Sequence, residues 1–546
     1  MARWRRVVLV SALACGAGVA AQAQQTTNAG ITVLSYGFQV VLPDTGDTIE
    51  AAATITFRRT RQAPDTLVLD LVGLTVDSAG SPGPGRSEPL VRRPFTYDGK
   101  RLLIALAPPP GRGPESVTVF YHGAPTDGLL LHPDGRGREA AFADDWPDRA
   151  RYWLPTVDDP ADKAAVSWRV SAPASWSVVA NGRPAGRTVA TDGRTWWAYQ
   201  ERRPIPTYTM VVGAGRLSVS RHRPVIAGRD TIPIEVWAEP EDSAFADSVP
   251  FRRATEIVET MQRLVGPFPF ERLAQVESST RYGGMENSTA IFYAEQPYIA
   301  RRLSEGVVRH ETAHQWFGDA VTERDFHDLW LSEGFADYFS LVVGAALDGD
   351  SVLSRGMAGL MRGYLRSAVV GRPLVDTAET VLTRLLNANS YNKGAWVLHM
   401  LRGMLGDSAF WRGIRAYYRE YRDSSVTSAD FQRVMERASD RRLGWFFAQW
   451  LHQPGYPRLD VAWRYDAASR RVALDVAQTQ PAAWGLFEVP ALTLDFVSES
   501  GARVRRTVAL ATARQSVTLD LAASPAGVRV DPDGAWLLTA QVTRRP

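Results

Sequence analysis

Cysteine is all but missing from this chain: among 546 residues only Cys15 is one. A disulfide framework is therefore excluded, and if Cys15 leaves with an N-terminal leader, no thiol remains to ligate a metal or attack a substrate. Lysine is nearly as scarce, found only at Lys100, Lys163 and Lys393, so almost every basic side chain is an arginine. There is no basic excess either. Lysine and arginine total 62 against 59 Asp and Glu, and Arg3, Arg5 and Arg6 alone make the difference. A balanced chain of this kind argues against an electrostatic nucleic-acid binder, which should carry a basic excess or stripe. No repeat and no low-complexity tract is present, and the apolar run at the N-terminus is too short to span a bilayer.

That N-terminus, MARWRRVVLVSALACGAGVAAQAQQ, joins a basic start to an apolar run and the small-residue site Ala21-Gln22-Ala23. It has the pattern of a secretory signal peptide over residues 1–23, and predicts export to the periplasm or the medium, with no transmembrane span in the mature chain. Lipid anchoring at Cys15 is a minor alternative. The length suggests about three domains, and 45% hydrophobic residues with 17 Trp, 17 Tyr and 20 Phe can fill their cores. Residues 24–224 read as β structure, because segments such as IEAAATITFRR, DTLVLDLVGLTV and ESVTVFYHG are short, rich in β-branched residues and bounded by turns. Within them, residues 150–182 set Lys163 and paired aspartates between strand-like runs, the pattern of an ion-paired loop that stiffens the domain. Helical spacing begins at residues 251–266, and residues 225–455 read as mostly helical. Strands return over residues 456–546, as in RLDVAWRY and PALTLDFV.

The chemistry is concentrated in residues 307–338, VVRHETAHQWFGDAVTERDFHDLWLSEGFADY. On a helix, His310 and His314 at i and i+4 leave the same face and can converge on one cation. Glu311 is rotated by about 100° from His310, placed to reach a water beside the metal instead of the metal itself. Nineteen positions after His314, Glu333 sits in DLWLSEGFADYFSLVV, a segment of helical spacing that can pack on the first helix and supply a third ligand. Two histidines and a carboxylate leave one tetrahedral position open, as catalytic zinc requires. The other histidines (His122, His132, His222, His327, His399 and His452) form no visible ligand pair. Upstream, Gly283-Gly284-Met285-Glu286-Asn287 follows a strand-like run and reads as an edge strand alongside the metal, able to hold an extended peptide by its main chain. Downstream, Tyr391 opens a helix in SYNKGAWVLHMLRGML.

HETAH, the glutamate of WLSEGFADY, GGMEN and YNKG, in this order and spacing, resemble the M1 family of zinc aminopeptidases, the gluzincins that include aminopeptidase N and leukotriene A4 hydrolase. ARYWLPTVDDPADKA is similar to a loop of that family's N-terminal β domain, and QWLHQPGYP to the end of its catalytic domain. The resemblance implies a multidomain α+β fold: an N-terminal β-sheet domain, a thermolysin-like and mostly α-helical catalytic domain, and a small C-terminal β-sandwich domain. It implies one Zn2+ per chain on His310, His314 and Glu333, with Glu311 as general base. It further implies Tyr391 as donor to the tetrahedral oxyanion, Glu286 as partner of the substrate's α-ammonium, and the Gly283, Gly284 and Met285 backbone beside the peptide. Its substrates would be peptides with a free N-terminus. Two features depart from the family: Ser332 replaces the usual asparagine before the zinc glutamate, and FADDWPDRAR replaces a stretch in which many members carry a substrate-binding glutamine. No residue of the N-terminal domain is therefore assigned to amine binding. Rival readings are a secreted thermolysin-like endopeptidase, epoxide chemistry of the leukotriene A4 hydrolase type, and a non-catalytic peptide-binding protein on the same fold.

Overall fold

The computed structural model describes residues 28–83, 89–108 and 113–546; the leader expected over residues 1–23, with Cys15, lies outside the described residues. Alternation builds the first part of the chain. Along Ile49–Arg59 the buried residues are Ile49, Ala53, Ile55 and Phe57, one face of a pleated strand. Eight strands form one sheet and two smaller sheets, of four and three strands, accompany it. Ile31–Val41 lies between the antiparallel Ile49–Arg59 and the parallel Ala164–Ala172, with Phe38 opposite Trp168. The Phe38 and Trp168 rings lie 4.9 Å apart and Trp168 stacks on Trp153 at 5.7 Å, so large aromatics fill this core.

A five-stranded mixed sheet follows, built in spatial order from Ser218–Ala227, Asp230–Ala238, Leu273–Ser278, Ala290–Ala294 and the edge strand Gly284–Met285. The strand Ser218–Ala227 runs across residue 225, the expected start of the second domain; the change of sheets falls between Gly215 and Ser218. Around this sheet stand helices α1 (Ala254–Leu264), α2 (Glu305–His314), α3 (Glu333–Asp348), α4 (Ser351–Leu365), α5 (Gly394–Leu405), α6 (Asp407–Tyr421) and α7 (Ser428–Ser439). Their apolar stripes meet in an aromatic cluster: Phe335 of α3 lies 4.7 Å from Phe317 and 5.1 Å from Phe431 of α7, whose ring is 4.9 Å from Tyr417 of α6. The aromatics of FWRGIRAYYREY are thus core. The chain ends in two sheets, of four and three strands, between Arg458 and Arg544, so the β, helical, β order expected of the fold is the order observed. Among the described residues no helix is long and apolar enough to cross a membrane.

Lys163 departs from its expected role. It pairs with none of the neighbouring aspartates; its Nζ donates to the carbonyls of Asp319 and Ala320, at 2.7 and 3.0 Å, and so ties the N-terminal β domain to the chain just past α2.

Helices α3 and α5 cross backbone to backbone. A Cβ on Gly394 would stand 2.9 Å from Gly334 Cα, and one on Gly334 would stand 2.7 Å from Gly394 Cα, closer than real Cβ contacts come. This accounts for the glycines of SEGF and YNKG, and the crossing draws Tyr391, on the turn before α5, toward Glu333. Gly394→Ala is expected to force the helices apart at a cost of about 1–3 kcal/mol. Calorimetry should show a melting temperature several degrees lower, and an unchanged value would contradict so tight a crossing.

Candidate metal centre

Helix α2 starts after Ser304, which is extended (φ −103, ψ 150), and carries Glu305 in its first turn, where a negative charge favours the helix dipole. Arg253 (2.7 Å) and Arg309 (3.0 Å) fix that carboxylate. The second segment differs from the continuous helix that its spacing suggests. Phe326–Leu331 forms a 3-10 turn with Asp325 accepting from His327 N, the chain kinks within it at Asp328 (φ −90, ψ 17), and α3 begins with Glu333 itself, just after Ser332. At the junction of that turn with α3 the Ser332 hydroxyl lies 2.9 Å from His314 Nδ1, so the serine that stands in place of the family's asparagine holds a metal-ligand candidate.

The three predicted ligands converge. His310 Nε2 lies 3.1 Å from His314 Nε2 and 3.2 Å from Glu333 Oε2, and His314 Nε2 lies 3.4 Å from the same oxygen. A tetrahedral ion with bonds of about 2.0–2.1 Å spaces its ligand atoms by about 3.3 Å. The donor set therefore fits zinc in spacing, and its two nitrogens and one oxygen fit it in chemistry. Each imidazole is also held from behind. His310 Nδ1 pairs with Asp337 Oδ1 at 3.0 Å, and His314 Nδ1 faces Phe317 O at 3.2 Å as well as Ser332. Acceptors on Nδ1 turn the Nε2 lone pairs toward the centre. The sequence reading missed Asp337, although its place one helical turn after Glu333 was the signal for it.

The other candidates gather round this centre. Glu286, Glu311 and His314 offer ligand atoms all within 4.8 Å of one another, and the two carboxylates are nearly buried. Burial pushes the Glu311 carboxyl up to about 7, against the pull of His310 and His314. Burial also raises the Glu286 carboxyl, opposed by His314. Gly284 is required by this packing: a Cβ there would stand 2.1 Å from Glu311 Oε1. Gly284–Met285 is an edge strand paired on one side with Ala290–Ala294, and Gly283 leads into it, with its carbonyl accepting from Ala294 N at 3.3 Å. Tyr391 comes from a π-helical turn at Asn389–Lys393. Its hydroxyl donates to Glu333 Oε1 at 2.8 Å, and burial, then the Glu333 charge, raises its pKa far above the ordinary phenol value.

Elsewhere the charged clusters are spent on partners. Glu239, Asp242 and Glu277 also lie close together, but Arg136 and Arg301 each reach Asp242 at 2.6 Å and Arg138 pairs with Glu239. In FADDWPDRAR, Asp144 pairs with Arg149 at 3.0 Å and Asp145 accepts from Trp153 Nε1 at 2.8 Å. No other histidine joins a group of metal donors among the described residues. Asp337→Asn should weaken zinc binding about 10- to 100-fold, read by competition with a chromophoric chelator; unchanged affinity would deny Asp337 its part in aiming His310.

Comparison with known proteins agrees with this geometry. Residues 34–209 match the model of the peptidase M1 N-terminal domain, and residues 251–450 match that of the peptidase family M1 domain. The chain is 29% identical over 330 residues to probable aminopeptidase 2 of Sulfurisphaera tokodaii, covering 57% of this chain and 41% of that protein. It is likewise 29% identical over 330 residues to aminopeptidase N of Lactococcus lactis, covering 56% and 38%. It thus spans about two-fifths of the length of these relatives. The crystal structure of an M1 zinc metallopeptidase from Deinococcus radiodurans superposes with a TM-score of 0.67 at 27% identity, covering 78% of this chain and 95% of that one. Since both models match, in order and on either side of the strands that join the two regions, the chain belongs to peptidase family M1.

Proposed function

We propose that this protein is a zinc-dependent aminopeptidase, hydrolysing the first residue from peptides with a free N-terminus. What carries the reading is the second buried acid. Beside a three-donor zinc set with Glu311 next to it, a hydrolase of internal bonds has no use for Glu286, whereas a free α-ammonium needs such a buried anionic partner. One Zn2+ per chain on His310, His314 and Glu333 supplies Lewis acidity and brings the pKa of a water beside it to about 7. Glu311, its own pKa near 7, is matched to take the proton of the attacking water and to return it to the leaving amine. Tyr391 keeps its proton at neutral pH and, as substrate enters, trades its bond to Glu333 for one to the developing oxyanion. Gly283, Gly284 and Met285 offer main-chain groups to an extended peptide. Glu286 pairs with the α-ammonium; a blocked N-terminus would leave that carboxylate buried and unpaired, typically a loss of a few kcal/mol.

The N-terminal sequence supports export, to the periplasm or the medium, by way of a signal peptide over residues 1–23. Mass spectrometry of the mature N-terminus tests that part separately.

The activity is tested with aminoacyl fluorogenic substrates, with and without chelator and after zinc is restored. Activity should vanish with the metal and return with it, and N-acetylated peptides should resist. Glu311→Gln should keep its zinc while turnover falls by about 10²-fold or more. Blocked peptides cleaved as fast as free ones would favour the endopeptidase reading instead.

A further inference from the structure

We infer that Gln315, the residue after His314, is the positioning residue that sets the amine-recognising acid in register with the metal helix. The inference rests on the reading of Glu286 given above and adds to it the means by which that carboxylate is held in place.

Glu286 directly follows the edge strand, and the chain turns back sharply after it. Thr289 in this turn has φ +67, a left-handed conformation that a β-branched residue adopts only when its surroundings enforce it. Two sides of the turn are gripped. From the N-terminal domain, Asn181 Nδ2 donates to Ser288 O at 2.7 Å and Gly182 N donates to Thr289 Oγ1 at 2.6 Å. From the metal helix side, Gln315 Nε2 donates to Glu286 O at 2.7 Å and Gln315 Oε1 accepts from Thr289 N at 2.9 Å. Gln315 is fully buried. Its amide is itself oriented, because Nε2 also donates to Asp319 Oδ2 at 2.7 Å.

One side chain therefore spans from the residue beside a zinc-ligand candidate to the main chain of the amine-binding candidate. The imidazoles are aimed independently, by Asp337, Ser332 and Phe317 O. Loss of the Gln315 amide would leave two backbone groups of the turn unpaired in a buried place. The metal donors would keep their supports, and the Glu286 carboxylate would lose its fixed distance from them. The effect should fall on recognition of the amine, in KM more than in kcat.

The test uses the full chain loaded with zinc, and the competitive inhibition constants of alaninamide and of propanamide, which lacks the amine. In the wild-type protein alaninamide should bind much the tighter. In Gln315→Met, similar in volume and unable to make these bonds, that preference should shrink about tenfold, and KM for alanyl-4-nitroanilide should rise by a similar factor, with zinc content still one per chain. If Gln315→Met does not fold, Gln315→Glu is measured in its place; it keeps the acceptor for Thr289 and loses the donor to Glu286 O while ionised. A wild-type protein without preference for alaninamide would overturn the reading of Glu286 itself. A wild-type preference that survives within twofold in the variant would overturn the role of Gln315 alone. Zinc lost in step with the preference would also overturn it, by assigning Gln315 to the metal helix.

Discussion

Two imidazole nitrogens and a carboxylate oxygen, held 3.1 to 3.4 Å apart in the interior, are the constraint from which the rest of the molecule follows. Lone pairs that close repel, and burial opposes charge on any of them. Even so, the Glu286 and Glu333 carboxylates outweigh burial at His314 and push its pKa up to about 9, so the centre demands positive charge, whether protons or a cation. Because a ligand atom must lose its proton to bind metal, zinc entry and proton release are coupled. The surrounding packing keeps this arrangement from relaxing. Phe335, two residues past Glu333, is locked among Phe317, Phe431 and Trp330, and α3 lies against α5 with no side chain between Gly334 and Gly394.

The environment assigns different tasks to chemically equal groups. Glu333, beside both imidazoles, is drawn down to about 2 despite its burial. Glu311, buried and farther from compensating charge, rises to about 7. Under the proposed function this keeps one carboxylate ionised for ligation and leaves the other poised to accept and give a proton, a division of labour typical of hydrolytic sites.

Much of this was legible in the residues, and the parts that were not share a cause. HETAH declares itself because a helix puts i and i+4 on one face, and Glu333 because a carboxylate in a second helical segment completes the set. Asp337 carries the same periodic signal, one turn after Glu333, but was missed. The strands of residues 49–59 or 115–123 show their alternation openly. By contrast, the 3-10 turn and the kink at Asp328 that precede Glu333 are hidden, since the apolar spacing of DLWLSEGFADY runs through them unchanged. The start of the five-stranded sheet at Ser218 is hidden too, because RLSVSRHRPVIAG lacks any shift in composition. Gln315, Asn181 and Lys163 were beyond reach for a stronger reason. Their partners are main-chain groups far away in sequence, and a carbonyl leaves no trace in the identity of the residue that bears it.

Lys163 and Asn181 come from the β-rich first part of the chain, yet they end on the loop after α2 and on the turn after Glu286. The first part is thus fastened to the two segments that flank the metal donors and Glu286, and is not a detachable module. A chimaera that exchanged it for the equivalent segment of another family member would retain every donor atom, but unless the graft brought its own ammonium and amide to the same carbonyls, the seam would open beneath the catalytic groups.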